Sequence, residues 1–359
     1  MRSVIDILDL SVQELDALTD TALDIIAHPE KYAHACEGKK LAALFFEPST
    51  RTRLSFEAAM YELGGHVLSV SDANNASTYK GESVADTVKI ASCYADIIAM
   101  RHPRDGAALV AAANATVPVI NGGDGGHCHP TQTLADLLTI RREKGRFDHL
   151  TIGVCGDLKY GRTVHSLIGA MSRYEGTRFI LISPEELRIP AYVRRETLER
   201  HAIPYSETAE LDAAMPELDI LYMTRIQRER FEDPAEYERL KDSYVLTPDK
   251  LRPAKPDMAI LHPLPRVNEI SVAVDADPRA AYFRQALNGK YMREALILKL
   301  LAEAGDRVFT LPASRTDTGC VCSNPRCITR TEQELPQRFR PDSHEPGLYR
   351  CLYCDAAAE

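Results

Sequence analysis

The chain has 359 residues, 45% of them apolar and 26% charged, with 43 Lys and Arg against 52 Asp and Glu for a formal net charge of −9. That length exceeds a single small core and points to two domains of ordinary size plus an appendage. The acidic balance argues against non-specific nucleic-acid binding, and no apolar run approaches the roughly 20 residues that cross a bilayer.

The opening Met1-Arg2-Ser3-Val4-Ile5-Asp6 turns acidic at once and has no signal-peptide core, so a cytoplasmic protein is expected. Ser11 with Glu14 is a capping box, and Leu15, Leu18, Ala22, Ile25 and Ile26 follow at helical spacing. An apolar strand at 41–46 then runs into Ser49-Thr50-Arg51-Thr52-Arg53, where a helix carrying Phe56, Ala59, Met60 and Leu63 begins. Unpaired backbone N–H groups, the helix dipole, hydroxyls and two arginines there suit an anion such as a phosphate. Net charge does not oppose this, because charges beyond a Debye length of about 8–10 Å are screened.

Further strands are predicted at 67–70, 96–100 and 117–120, before Gly122-Gly123-Asp124-Gly125-Gly126 breaks the pattern. A second series is predicted at 151–155, 178–182, 219–223 and 258–261, separated by helical segments that include 162–174, and a helix over 291–304 closes the region. Alternation of this kind predicts two doubly wound parallel-sheet α/β domains.

Open α/β sheets bind ligands at the C-terminal ends of their strands. There the chain places Arg101-His102-Pro103, His127-Cys128-His129-Pro130-Thr131-Gln132, Asp157 to Ser166 with Arg162, Thr224-Arg225-Ile226-Gln227, and His262-Pro263-Leu264-Pro265-Arg266. Strand-end arginines without obvious structural partners describe a site for two anionic substrates, and a dicarboxylate calls for forked cations.

The motifs S-T-R-T-R, S-x-x-K-G-E, M-R-H-P, H-P-T-Q, D-L-K-Y-G-R-T-V-H-S, M-T-R-x-Q and H-P-L-P-R resemble those of the catalytic chain of aspartate carbamoyltransferase, from the N-terminus to residue 304. The resemblance implies a carbamoyl-phosphate domain over 1–132, closed by a helix at 289–304, an aspartate domain over 133–288, and a homotrimer that shares its active sites. It implies that Ser49, Thr50, Arg51 and Thr52 cradle the phosphate while Arg101, His129 and Gln132 hold carbamoyl phosphate from the other side. Ser77 and Lys80 would reach a neighbouring subunit's site, from a loop one residue shorter than in some members. Arg162, Arg225 and Gln227, with Lys80, would bind aspartate, its amino group meeting the backbone around Leu264 and Pro265. Catalysis would then lie in positioning and in oxyanion donors, Thr52, Arg101 and His129 foremost, within de novo pyrimidine biosynthesis.

The ornithine carbamoyltransferases share the phosphate site but carry H-C-L-P and an acidic group, where this chain has His262-Pro263-Leu264-Pro265 and a second anion site. A dinucleotide oxidoreductase is disfavoured because Gly153-Val154-Cys155-Gly156-Asp157 lacks the G-x-G-x-x-G spacing. A nucleic-acid-binding zinc module is disfavoured for want of a basic stripe.

From residue 306 the composition shifts. Of nine cysteines, five lie in the last forty positions. Cys322-x4-Cys327 with Cys351-x2-Cys354 predicts a closed tetrahedral thiolate site that binds zinc structurally, leaving the active site without a cofactor. Arg326, Arg330 and Arg350 would offset its negative charge; Cys320 is the spare, and His344 the alternative ligand. A second site at His127, Cys128 and His129 is rejected, since phosphate binding explains His129. The tail resembles the zinc domain of the aspartate carbamoyltransferase regulatory chain. The stretch 305–319 is a linker far too short for a nucleotide-binding domain, which leaves a zinc domain over 320–359 without an effector sensor. It is expected to pack on a catalytic domain, of its own chain or a neighbour's, and to support a trimer or a pair of trimers without nucleotide feedback.

Overall fold

The computed structural model describes residues 2–70, 81–226, 233–305, 309–332, 334–343 and 345–358. In chain order the elements are α1 (Val12–Ala27), α2 (Pro29–Tyr32), β1 (Lys40–Phe45), α3 (Thr50–Glu62), β2 (His66–Val70), α4 (Val84–Ser92), β3 (Ile97–His102), α5 (Ala107–Asn114), β4 (Val119–Asp124) and α6 (Pro130–Lys144). Then follow β5 (Thr151–Cys155), α7 (Arg162–Met171), β6 (Arg178–Ile182), α8 (Ala191–Val193), β7 (Tyr205–Thr208), α9 (Leu211–Ala214), β8 (Ile220–Met223), α10 (Pro234–Leu240), β9 (Ala259–Leu261) and α11 (Tyr282–Ala302). A hairpin of β10 (Phe339–Pro341) and β11 (Tyr349–Cys351) lies in the tail. Among the described residues no helix is long and apolar enough to cross a membrane.

Contacts divide the chain into two compact units: Met1–Leu10, Asp20–Thr131 and Lys290–Glu359, and Ser11–Thr19 with Gln132–Gly289. The first holds a parallel sheet in the order β2-β1-β3-β4, the second a parallel sheet in the order β7-β6-β5-β8-β9. In each, the chain winds one way and then the other from a central strand, so each sheet has one switch point, β1/β3 in the first and β5/β8 in the second.

Three departures from the predicted elements have physical reasons. β4 runs on through Gly122 and Gly123, because a bulge between Met100 and His102 keeps it paired to β3 as far as Asp124. β7 is a short edge strand of sequence Tyr-Ser-Glu-Thr, too polar to register as apolar. α11 starts nine residues before the expected 291 because its first turns bury polar groups. There Gln285 Nε2 donates to Asp136 at 2.6 Å and Asn288 Nδ2 to Thr139 at 2.9 Å, each residue 1% exposed.

The buried face of α11 also carries Glu294, which borders a small cavity with Ile25, Tyr32, Glu62 and Tyr291. Burial pushes its carboxyl up to about 7, with Lys290 only partly offsetting. The native group keeps its proton up to that pH, whereas an unfolded one releases it near 4.5. The wild-type fold therefore gains stability as pH falls through 7, fully by 4.5. Glu294→Gln lacks this gain. The variant should lead the wild type at pH 8 and lose about 2–3 kcal/mol of that lead by pH 5. Thermal melts at the two pH values measure it, and an unchanged difference would remove Glu294 as the cause.

Candidate active site

In the first unit the switch point lies between β1 and β3, and both strands lead into predicted site residues. Ser49 occupies the N-cap of α3, but its hydroxyl makes no capping bond and the first turn holds no acidic residue. The helix start is thus electropositive and uncapped. Thr50 and Arg51 are exposed there and Thr52 is 8% exposed. Arg101, at the end of β3, is half-buried. Its Nη2 lies 2.8 Å from the Glu47 carboxylate and its Nη1 donates to the Gly122 carbonyl at 3.2 Å. Its Nε is buried with no acceptor among the described residues. Burial lowers the Arg101 pKa and Glu47 works against that; burial alone lowers Arg51. Both remain cations at neutral pH.

Gly123 brings a third group to this place. Its φ is +121°, and a Cβ there would stand 2.8 Å from Arg101 Nη1 and 3.5 Å from the His129 ring. Only glycine lets the backbone pass between the two. His129 is 6% exposed, with Nδ1 at 3.5 Å from the Thr131 hydroxyl. Arg293 of α11 donates to Thr131 at 3.2 Å and to Ser55 at 3.0 Å and stacks 5.0 Å from the Phe56 ring. It locks the α3 start to the His129 turn. Sequence reasoning missed it, because an arginine inside an apolar helix gives no motif.

Gln132 falls in the second unit, where its amide donates to Asp136 at 2.8 Å. In that unit the switch point lies between β5 and β8. Arg162 opens α7 and Arg225 follows β8. The Thr224 hydroxyl accepts from Asp157 N at 3.0 Å and donates to Cys155 O at 3.2 Å, which ties the two arginine-bearing loops together. Beyond β9, buried His262 accepts from Leu264 N at 2.8 Å through Nδ1, so Nε2 carries the proton shared with Glu269 at 2.7 Å. Leu264 has a φ of +51°, and its bond to Pro265 is cis. A left-handed leucine is strained, and such strain gathers at functional loops.

Arg266 departs from its expected place among the strand-end arginines of the substrate site. It forms a two-pronged pair with Asp275, one arm at 2.6 Å, and lies over the Tyr282 ring, so it serves the fold. Ser77, Lys80, Gln227 and His344 lie outside the described residues.

In the tail, Cys322, Cys327, Cys351 and Cys354 are buried with their Sγ atoms all within 4.8 Å of one another. The separations of 3.5 Å for Cys322–Cys354 and 3.8 Å for Cys327–Cys351 far exceed a disulfide's. They match the roughly 3.8 Å edge of a tetrahedron with metal–sulfur bonds of about 2.3 Å. Left to themselves the thiols oppose one another: hydrogen bonds from Cys322 push Cys327 down, and Cys351 and Cys354 up. A divalent cation lets all four be thiolates. Cys320 is outside the cluster, its thiol against the Thr318 carbonyl. Arg350 pairs with Asp342 instead of serving the thiolates.

This module packs on its own chain, in one apolar core with α4, α5 and β3. Asp105 exchanges backbone bonds with Arg326 at 3.1 Å and Ile328 at 2.9 Å, and its carboxylate accepts from Asn324 at 2.8 Å. Gly106, with φ +85°, meets Tyr353 so closely that a Cβ would stand 2.5 Å from it. His127 lies between two carboxylates, Nδ1 at 3.1 Å from Asp124 and Nε2 at 3.2 Å from Asp355. Burial works against a charged ring, yet the negative groups around it hold His127 well above the ordinary histidine range. Asp124, His127 and Cys128 have ligand-type atoms within 4.8 Å, but hydrogen bonds account for them without a metal.

Residues 2–142 match the family described as "Aspartate/ornithine carbamoyltransferase, carbamoyl-P binding domain", and residues 148–300 match "Aspartate/ornithine carbamoyltransferase, Asp/Orn binding domain". Residues 319–359 match "Aspartate carbamoyltransferase regulatory chain, metal binding domain". The chain is 63% identical over 301 residues to the aspartate carbamoyltransferase catalytic subunit of Lachnoclostridium phytofermentans, covering 84% of this chain and 98% of that protein. Its counterpart in Clostridium acetobutylicum is 59% identical over 300 residues, covering 84% and 98%. Among solved structures, the catalytic subunit of M. jannaschii aspartate transcarbamoylase has a TM-score of 0.79 at 45% identity, covering 84% of this chain and 99% of that one. The Trypanosoma cruzi aspartate transcarbamoylase in complex with N-(phosphonacetyl)-L-aspartic acid has a TM-score of 0.78 at 38% identity, covering 83% and 95%. With both α/β units and the cysteine module matched, the chain belongs to the aspartate/ornithine carbamoyltransferase family and carries a metal-binding domain of the regulatory-chain type at its C-terminal end.

Proposed function

We propose that the protein transfers the carbamoyl group of carbamoyl phosphate to the α-amine of L-aspartate, giving N-carbamoyl-L-aspartate and phosphate in cytoplasmic pyrimidine biosynthesis. The observation that carries this reading is Arg101. It is a half-buried cation whose buried Nε–H has no acceptor among the described residues, on the same switch point as the uncapped start of α3. An anionic ligand would supply the missing acceptor. The names of the relatives support aspartate as the second substrate.

In this reading Ser49, Thr50, Arg51 and Thr52 receive the phosphate, and Arg101 and His129 donate toward the carbamoyl oxygen. Gln132 adds a polar contact on the α6 side. Arg162, Arg225 and Gln227 take the two carboxylates of aspartate, and the backbone at Leu264 and Pro265 takes its amine. The neutral amine attacks the carbonyl carbon, a C–N bond forms, and the C–O bond to phosphate breaks. The amine proton leaves with the phosphate group. His129 acts as a donor, not as a base, and stabilises the oxyanion. Ser77 and Lys80 enter from a neighbouring subunit of a homotrimer. Zinc in the four-cysteine site is structural.

The test is an assay of carbamoyl phosphate with L-aspartate and, in parallel, with L-ornithine, following phosphate and the carbamoylated amino acid. Carbamoyl-aspartate from aspartate alone is the expected product. Turnover of ornithine in its place would overturn the roles given to Arg225, Gln227 and Leu264.

A further inference from the structure

We infer that His127 is a positioning residue for the carbamoyl-phosphate site, and that the C-terminal module supplies, through Asp355, half of the clamp that holds it. The inference rests on the reaction assigned above. Its geometry is independent of that reaction.

The turn between β4 and α6 delivers His129. Asp124 accepts from Gly106 N at 2.8 Å, Asn121 Nδ2 at 2.9 Å and Cys128 N at 3.0 Å. Asp105, itself bonded to Asn324 of the module, accepts from Gly126 N at 2.6 Å. These bonds fix the two ends of the turn by backbone groups. From the turn itself, the side chain of His127 reaches the module, with a carboxylate at each ring nitrogen. Carboxylates only accept, so both ring nitrogens must donate, and the ring cannot rotate without losing a partner. Two residues on, His129 leaves the same backbone toward Arg101.

The second observation concerns Asp355. Its φ is +59°, a conformation glycine adopts freely and most residues avoid. Its carboxylate is partly exposed and is shared between His127 and Arg340, the latter at 2.7 Å. An aspartate in a left-handed position retains its side chain at a conformational cost, and here that side chain has His127 to hold.

The backbone geometry also supplies the experiment. In the full-length, metal-loaded protein, Asp355→Gly relieves the backbone and removes the carboxylate, whereas Asp355→Asn keeps an acceptor and tolerates the same φ. With metal content matched to wild type, Asp355→Gly should lower kcat about tenfold while the KM for aspartate moves less than twofold. Asp355→Asn should stay within about threefold of wild type in kcat. Hydrogen exchange followed by mass spectrometry should show faster exchange over 122–130 in Asp355→Gly. His127→Gln should reproduce both effects, and the double variant should add little to either.

Wild-type turnover or wild-type exchange in a metal-replete Asp355→Gly protein would overturn the proposal, as would equal losses in the Gly and Asn variants. If the unaltered protein turns over no carbamoyl phosphate, the assigned reaction fails, and the exchange over 122–130 still decides whether the clamp exists.

Discussion

Arg101→Ala should lower kcat by about a hundred- to a thousandfold, the range typical of losing one preorganised oxyanion donor. Three of this arginine's arms are accounted for separately. One faces Glu47, one the Gly122 carbonyl, and Nε is the donor left over. The first two hold the guanidinium plane, so the third arrives already oriented and costs no reorganisation. Arg101→Lys retains the charge but has neither the fork nor the plane, and should recover less than tenfold of the loss. The KM for carbamoyl phosphate should rise in both variants and that for aspartate should change less, because Arg162 and Arg225 sit on the other sheet. Steady-state kinetics in both substrates is the measurement. Turnover within threefold of wild type in Arg101→Ala would remove Arg101 from the reaction.

Much of this was legible in the sequence, and the division has a physical pattern. Parallel strands buried on both faces read as apolar runs, so β5 and β6 fall at their predicted bounds. Residues proposed to meet a ligand sit in short motifs, and Ser49 to Thr52, Arg101, His129, Arg162 and Arg225 are all found near strand ends or helix starts. What stayed hidden works through burial of polar groups. Gln285 and Asn288 broke the apolar pattern that would have announced the start of α11, and Arg293 looked like an isolated charge. Arg266 shows the opposite failure, since its partner Asp275 is nine residues away and no spacing rule joins them. The docking of the tail was open between its own chain and a neighbour's. It depends on Gly106, Asp105 and Tyr353 meeting in space, which no linear pattern records.

Removing the metal should destabilise more than the tail, because its ligands belong to the core of the first unit. Cys322, Cys327, Cys351 and Cys354 cluster with Ile328, Phe339, Leu352 and Tyr353 against the fully apolar run of α5. A module this small holds little core of its own, so its folding free energy is largely that of metal binding. Once it opens, α5 loses its cover and apolar surface becomes exposed. Cys327→Ser is the sharpest form of the experiment: the thiol sits inside the cluster and accepts from Thr329 at 3.2 Å. We expect metal content to fall from about one ion per chain to near zero. With a loss of about 4–5 kcal/mol, at the upper end for one substitution and in the class that metal loss belongs to, Tm should drop by about 8–20 °C at roughly 2–4 °C per kcal/mol. Cys320→Ser is the control, because that thiol lies outside the four-cysteine cluster and donates to the Thr318 carbonyl. It should keep both metal and Tm. If Cys327→Ser loses its metal yet melts with the wild type, the shared core is not cooperative and the module is a separable cap.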